Sequence, residues 1–502
     1  MPIGTLVIRA DATPQMGTGH AMRCLALAQA WRKKGGDASF VMANLTPFVA
    51  KRLSWEGFDV HRLEASPGSK DDASATGTIT AKTGARWLVV DGYHFNAEYL
   101  KAIRHPQVKP LLIDDLGRED CDHAELVLNQ NLHAKATMYP GMVHHRLLLG
   151  PRFALLRNEF VRPGNSPRRF PEVAQNVVVS IGGGFQDSTL EIMLAAIALL
   201  PFELNVKLLV SGRGSPELGS VSKRKIDLQQ DVKDMRELMD WADVAVSAAG
   251  STCWEFCRAG LPSIVVDVAP NQLSIAQELD SRGISTYVPR AHLSPEGLAN
   301  VLCRLIQDGN RRREMSDRGM KLVDGKGSAR VVSALRARSI RFRKVVWKDS
   351  RLLWEWANDP KVRSASFFSE QIPWEVHCDW MRQKLADPEA RLWIAQEEDL
   401  AVGVVRLQVK TGSFAEIAIT VGPELRGDGL ASHLIRSAAD CAAKGGQVQQ
   451  LQALIKPQNM ASRRAFEAAG FRFCEMTSVN GLEAMKYVWQ SDVKERRKNE
   501  TR

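Results

Sequence analysis

The strongest restriction on this chain's fold is an alternation, through residues 1–335, of short apolar runs with longer stretches of helical periodicity. Runs of this length, bounded by turn residues, read as buried strands. Leu6–Arg9, Ala38–Met42, Trp87–Asp91, Pro110–Asp114 and Leu126–Asn129 form one series, with a helix expected over Ala21–Lys34. A second series begins at Asn176–Ile181, ends that strand in the turn Gly182–Gly184, and continues through Val206–Ser211, Val244–Ser247 and Ser263–Asp267. Strands that alternate with helices need a parallel sheet covered on both faces. Two such series, joined by the Pro- and Arg-rich stretch Arg157–Pro171, predict two lobes with ligands at the carboxyl ends of the strands.

The texture changes near Ile340. Residues 310–340 read as a charged helix; then tryptophans become frequent (Trp347, Trp354, Trp356, Trp374, Trp380, Trp393). Arg391–Gln396, Ala401–Lys410 and Phe414–Val421 look antiparallel, which predicts a third unit. A chain of 502 residues is too long for one core. The expected division is 1–160, 172–335 and 341–490, with 491–502 as a flexible basic tail.

The formal net charge of +10 is densest in Arg311–Lys344 and Lys494–Arg502. Neither stretch interleaves aromatic side chains as a single-strand binder does, so both read as a solvated helix face and a tail. No nucleic-acid partner is expected, and the remaining positive potential suits anionic small molecules. The eight cysteines form no CxxC pair and lie beside no histidine cluster, which argues against a disulfide framework and a structural zinc. The start MPIGTLVIRADA lacks a signal-peptide layout, and no apolar run approaches the roughly 20 residues of a membrane span. The expectation is a cytoplasmic protein with no membrane partner.

Two glycine-rich junctions carry the chemistry of the first 335 residues. In Ile8–Ala28, a strand ends in a loop holding Gly17 and Gly19, and His20 stands at the start of a helix. Glycines let backbone approach a ligand, the helix N-terminus favours an anion, and an imidazole there could activate water. A helix-capping histidine is the structural alternative. In Val246–Pro262, a strand enters the turn Ala248-Ala249-Gly250, and Ser251-Thr252 is expected to cap a helix bearing Glu255. Hydroxyls and amides of Ser251 and Thr252 suit a diphosphate, Glu255 could accept from ribose hydroxyls, and Asn271-Gln272 lie at the same edge. Gly183, inside Gly182–Gly184, offers a further close approach. Packing glycines at strand–helix junctions are the alternative here.

Residues 1–335 resemble the UDP-sugar hydrolase of pseudaminic acid biosynthesis, a relative of the two-lobed GT-B glycosyltransferases. The resemblance rests on RADATPQMGTGHAMRCLALA, Asp91-Gly92-Tyr93, Ile113-Asp114-Asp115, SIGGG, and the Ser247–Asn271 region with its Ala-Gly-Ser-Thr, Glu255 and Asn271. It implies release of UDP from UDP-2,4-diacetamido-2,4,6-trideoxy-β-L-altropyranose by water, with inversion and without a metal. It also implies His20 as the water-activating base, Tyr93 and Asn271 on the sugar, and Ser251, Thr252 and Glu255 on UDP.

A second pair of motifs lies near the end. Phe414–Val421 runs as a period-two strand into Arg426-Gly427-Asp428-Gly429-Leu430-Ala431, which opens a helix over Ser432–Lys444. Free backbone amides at such a loop suit a pyrophosphate. Asn459 and Ser462 are expected to cap a helix ending at Gly470. Together the two resemble motifs A and B of the GNAT acetyltransferases, over about 341–490. The resemblance implies acetyl-CoA as the acetyl donor, lying in a splayed gap between two central strands. Val421, Arg426, Gly427, Gly429 and Ala431 would line its pyrophosphate, and Asn459 and Ser462 its pantetheine arm. A tyrosine common in motif B is replaced by Phe466, and Glu416 is the candidate base, directly or through water, with a salt-bridged surface glutamate as the structural alternative.

The fold class expected is therefore α/β: a GT-B-like pair of doubly wound parallel sheets, then a GNAT domain with a mixed, mostly antiparallel sheet. The partners expected are a nucleotide sugar and acetyl-CoA. The fusion implies consecutive steps, N-acetylation of a UDP-4-amino-sugar and then removal of UDP. Two rivals stay open: a GT-B glycosyltransferase joined to an unrelated acetyltransferase, and a non-catalytic UDP-sugar-binding module.

Overall fold

The computed structural model describes residues 3–118, 121–142, 146–162, 168–181, 187–209, 226–397, 400–410, 413–427, 429–444 and 448–490. The chain divides into two compact units, Met1–Val331 and Val332–Arg502. Among the described residues the first unit holds two parallel sheets and the second a mixed one.

The front lobe of the first unit is built on β1 (Thr5–Ala10), β2 (Asp37–Met42), β3 (Asp59–Arg62), β4 (Trp87–Asp91), β5 (Lys109–Ile113), β6 (Leu126–Asn129) and β7 (Leu147–Leu149). Their order is β3-β2-β1-β4-β5-β6-β7, all parallel. Leu6, Val7, Ile8, Leu88, Val89, Val90, Leu111 and Leu112 are fully buried, as strands covered on both faces require. The order reverses between β1 and β4. The loops leaving those strands diverge there and open a crevice at the carboxyl edge.

The rear lobe repeats the plan with β8 (Asn176–Ser180), β9 (Asn205–Leu209), β10 (Ile226–Gln229), β11 (Val244–Ala248), β12 (Ser263–Val266) and β13 (Ser285–Val288). Its parallel order is β10-β9-β8-β11-β12-β13, reversing between β8 and β11. Each glycine-rich junction singled out in the sequence therefore follows a strand at a reversal point.

The second unit carries β14 (Ile340–Lys344), β15 (Ala390–Glu397), β16 (Leu400–Val409), β17 (Phe414–Val421), β18 (Gln450–Ile455), β19 (Arg472–Val479) and β20 (Leu482–Gln490). In the order β14-β15-β16-β17-β18-β20-β19, only β17 and β18 run parallel, and they pair over just Phe414–Glu416 and Gln450–Gln452. Beyond Glu416 and Gln452 the two central strands no longer pair, so the sheet opens between them. The helix Leu430–Lys444 packs Ile435, Ala438, Ala439 and Ala442 over Ala415 and Ile417 on one face. On the other face, Leu353, Trp356 and Met381, from the helices Ser350–Ala357 and Trp374–Ala386, cover Leu392, Ile394 and Val404.

Several sequence expectations shift. The charged stretch 310–340 forms two helices, Gly309–Leu322 and Gly327–Ala337, separated by Gly325 at φ +78°. The start of the expected linker is packed: Arg157 and Phe160 are buried, and the Asn158 amide donates to Gln29. No helix among the described residues is long and apolar enough to cross a membrane.

Candidate active sites

In the front lobe the helix Gly19–Arg32 starts two residues earlier than periodicity suggested, so His20 lies in its first turn. His20 does not cap it. Its Nδ1 lies 2.7 Å from Asp91 Oδ1, and Asp91 is the last residue of β4. Arg23, one turn along, donates through Nε and a terminal nitrogen to both oxygens of Asp91, each at 2.7 Å. That terminal nitrogen also lies 3.2 Å from His20 Nδ1. An ionised Asp91 can only accept, so at the shorter distance Nδ1 carries its proton toward it, and in the neutral imidazole Nε2 keeps the lone pair.

Around this pair the charges close on themselves. The other terminal nitrogen of Arg23 donates to Asp115 at 2.9 Å, and Asp115 also accepts from Asn131 at 2.9 Å and from the Tyr93 hydroxyl at 3.1 Å. Burial alone would raise the Asp91 carboxyl, but the Arg23 charge and the hydrogen bonds from Arg23 and His20 outweigh it and hold it well below the usual carboxylate range. Burial and the neighbouring Asp115 push the Tyr93 phenol up, so it stays a donor at neutral pH. The Tyr93 ring stands edge-on to His20 with centroids 4.9 Å apart. Asn271 of the rear lobe donates to the Tyr93 oxygen at 2.7 Å, so one hydrogen-bonded chain runs from the rear lobe to the imidazole.

A second buried ionic group anchors the loop after β1. Arg9 clamps Asp72 with two bonds of 2.9 and 2.7 Å and lies 2.8 Å from Asp11, whose other oxygen accepts the amides of Ala43 and Asn44. With the loop base fixed, Gly17 takes φ +76°, a conformation that favours glycine. Gly19 needs no such φ. A Cβ built there would lie 3.5 Å from Ser251 Oγ, so its bare face looks across to the rear lobe.

The rear lobe presents small, neutral groups at the same crevice. Ser251 stands at the cap position of the helix Thr252–Ala259, yet its side chain makes no capping bond, contrary to expectation, because its backbone is already helical (φ −59°, ψ −21°). The hydroxyls of Ser251 and Thr252 have no hydrogen-bond partner among the described residues and remain available. Glu255 is partly buried and accepts from Arg157 at 2.8 Å. Burial pushes its carboxyl up, and the one Arg157 guanidinium also serves Glu159 at 3.1 Å. Gly182–Gly184, with Gly183, lies outside the described residues.

In the second unit, Gly427 and Gly429 both take positive φ (+91° and +83°), and a Cβ on Gly427 would meet nothing within 4 Å, so the loop is open there. The Arg426 side chain folds back, donating to the Val421 carbonyl at 3.1 Å and to Asp359 at 2.6 Å. Asp428 lies outside the described residues, and the helix begins at Leu430, ahead of the expected Ser432, so Ala431 is in its first turn. Asn459 caps the helix Met460–Ala468 through Oδ1, which accepts the Ser462 amide at 3.1 Å; the Ser462 side chain is not the cap. Phe466 is buried against Phe471 and offers no proton. Glu416 sits at the last paired register of β17, 3.4 Å from Lys410.

Sequence reasoning missed the roles of Asp91, Arg23, Asp115 and Asn131. A signal existed: Asp91 closes an apolar strand and Asp115 follows one closely, while His20 and Arg23 share a helix face at i, i+3.

Two family profiles match. An acetyltransferase (GNAT) domain matches residues 339–472, and a glycosyltransferase family 28 C-terminal domain matches residues 211–328. The spore coat polysaccharide biosynthesis protein SpsG of Bacillus subtilis is 24% identical, covering 65% of this chain and 96% of its own length. The UDP-2,4-diacetamido-2,4,6-trideoxy-β-L-altropyranose hydrolase of Campylobacter jejuni is 23% identical, covering 55% of this chain and 97% of its own.

The chain is a GT-B-like sugar-nucleotide enzyme fused to a GNAT acetyltransferase. An uncharacterized protein of Methanocaldococcus jannaschii is similar over the whole fusion, 22% identical across 93% of this chain and 96% of its own. The GT-B-like part thus holds the His20–Asp91 crevice between its lobes, and the GNAT part holds the opened β17–β18 gap.

Proposed function

We propose that the GNAT domain N-acetylates a UDP-4-amino-dideoxy-sugar with acetyl-CoA, and that the GT-B-like unit then releases UDP from the resulting UDP-diacetamido-trideoxy-altrose. The observation that carries the hydrolytic reading is the His20–Asp91 pair, with Nδ1 committed to the carboxylate and Nε2 left as a base.

Nε2 takes a proton from water as the water oxygen bonds to the anomeric carbon from the face opposite the diphosphate. The anomeric C–O bond breaks and UDP leaves with the electron pair, inverting the centre. Asp91 stabilises the imidazolium that forms, and Arg23 keeps Asp91 ionised. UDP is a good leaving group, so one base replaces the carboxylate pair of ordinary glycosidases. Ser251 and Thr252 hold the diphosphate with the loop containing Gly183, Glu255 takes the ribose, and Tyr93 and Asn271 take the sugar. Gly17 and Gly19 leave room for backbone to approach it.

In the acetyltransferase, amides of the loop from Val421 through Arg426, Gly427, Gly429 and Ala431 hold the CoA pyrophosphate, and Asn459 and Ser462 flank the pantetheine arm. The sugar amine attacks the thioester carbonyl, its surplus proton leaving through water toward Glu416, and the CoA thiolate departs. On this reading both reactions take place in the cytoplasm. The similarity to a named hydrolase supports the assignment to this substrate class.

The test measures UDP and free sugar from the UDP-diacetamido-sugar, with and without added sugar or lipid acceptors. Wild type is expected to release both without an acceptor, and His20→Ala to do so roughly 100-fold more slowly or worse, while CoA release from acetyl-CoA and the UDP-4-amino-sugar is unchanged. UDP release that needs an acceptor would establish the glycosyltransferase reading, which the family 28 match favours. Full turnover by His20→Ala would remove the imidazole from the chemistry.

A further inference from the structure

β16 is an inner strand of the second unit's sheet, flanked by β15 and β17. Helices cover both faces of this sheet, packing against Val404 of β16 on one side and Leu407 on the other. Yet Arg406 on β16 and its register partner Ala418 on β17 are both exposed. They share the face of Leu392 and Val404, which the two helices cover, but lie beyond that cover. Ala418 is also two residues past the last β17–β18 pair, so this bare floor adjoins the opening of the sheet. One wall is Trp380, whose ring centre lies 5.9 Å from the Arg406 guanidinium carbon. At the end of β18, Lys456 reaches Ser364 with a 3.2 Å bond to its carbonyl.

The charge of this crevice is unbalanced. Arg406 makes no hydrogen bond or ion pair with any described residue. Nearby carboxylates are already engaged, Glu416 with Lys410 and Asp359 with Arg426. The surrounding protein desolvates the Arg406 cation, and the positive charge of Arg363 adds to the strain, so both lower its proton affinity. Arg406 is exposed, so water still reaches its guanidinium, but with no counter-ion among the described residues it is left to bind an anion from solution. A guanidinium matches phosphate oxygens in a two-pronged geometry.

We infer that Arg406, with Trp380 beside it, receives the diphosphate of the amine acceptor and so selects anionic, nucleotide-linked amines over neutral or polycationic ones. The inference rests on the proposed acetylation of a UDP-amino-sugar and adds the residue that recognises it. Polyamines would meet Arg406, Arg363 and Lys456 as like charges.

The experiment follows CoA thiol release by full-length wild type, Arg406→Gln and Arg406→Lys with three acceptors: a UDP-linked 4-amino-sugar, glucosamine 1-phosphate and glucosamine. Arg406→Gln should raise KM for the two phosphorylated amines at least about tenfold, the scale of a lost charged hydrogen bond, while KM for acetyl-CoA and for glucosamine moves less than about twofold. Arg406→Lys should fall between, and added UDP should compete with the acceptor in wild type but only weakly in Arg406→Gln. Unchanged KM for the phosphorylated amines in Arg406→Gln would overturn the assignment, as would a wild-type preference for glucosamine over its phosphate. If wild type ignores the UDP-linked amine while Arg406→Gln abolishes the preference for glucosamine phosphate, the anion site stands and the proposed substrate falls.

Discussion

The two lobes of the GT-B-like unit share one plan, parallel strands and a reversal point, but spend their carboxyl edges differently. The front lobe gathers buried charge there: Arg9, Asp11, Arg23, Asp91 and Asp115, nearly every one bonded to another. The rear lobe sets out Ala248, Ala249, Gly250, Ser251 and Thr252, small and uncharged, with its nearest ions, Glu255 and Arg157, paired behind. A closed network of charges fixes the direction of one imidazole. An edge of small side chains leaves space and donors for an anion. On the proposed reading, chemistry and binding are divided between the lobes, and the crevice works only when both face it.

The largest effect is expected at Asp91. Asp91→Asn keeps the shape but turns an acceptor of two arginine bonds and one histidine bond into a group that also donates, so the His20 tautomer is no longer imposed. UDP release should fall on the order of 10³-fold, with substrate KM little changed, as steady-state kinetics would read. Loss confined to KM would instead put Asp91 in binding.

Acid sharpens the contrast. His94 and Arg9 hold Asp11 down, overcoming the opposing effect of burial, from 3.8 to about 2. Asp72, Asp91 and Asp115 are lowered as well. A carboxyl lowered in the folded state stabilises fully above its unfolded value and loses that contribution as pH falls through its folded one. Asp11 should therefore contribute about 2 kcal/mol that drains between pH 4 and pH 2. Glu255 has the opposite sign: raised by burial, it costs stability above its folded value, and that cost is relieved as pH falls through that value toward 4.5. Denaturant melts from pH 6 to pH 2 should show a flatter acid limb for Asp11→Asn, and no flattening would contradict the assignment.

The smallest effect belongs to the rear lobe. Ser251→Ala removes one free hydroxyl facing Gly19 and should weaken UDP binding by about three- to tenfold, the scale of one hydrogen bond, without moving the maximal rate. Calorimetry with UDP checks the first and single-turnover hydrolysis the second. A large fall in rate would place Ser251 in the chemistry and dissolve the division between lobes.

Much of this was legible beforehand, and for identifiable reasons. The buried parallel strands declared themselves because continuous apolar runs cannot hide, whereas β3 and β10, short and half-polar at sheet edges, did not. His20, Ser251, Glu255 and Asn271 announced themselves by lying beside glycine-rich turns. Asp91 and Asp115 were only parts of a resemblance, since a carboxylate at a strand end looks the same whether it meets solvent or an arginine. Glu255 was legible as a ribose acceptor, but not that its carboxylate also accepts from Arg157, 98 residues away.

The sequence by itself determined what local pattern can encode: element type, the glycine conformations, the strand-to-helix junctions, and the presence of two unlike catalytic modules. Packing decided which groups meet: that Asp91 faces His20 from 71 residues away, that Asn271 reaches Tyr93, and that Arg406 stands exposed on an inner strand with no counter-ion among the described residues. Periodicity acts over a few residues and is written in the chain. Electrostatic partnership depends on distance in space, and only the completed packing of strands sets that distance.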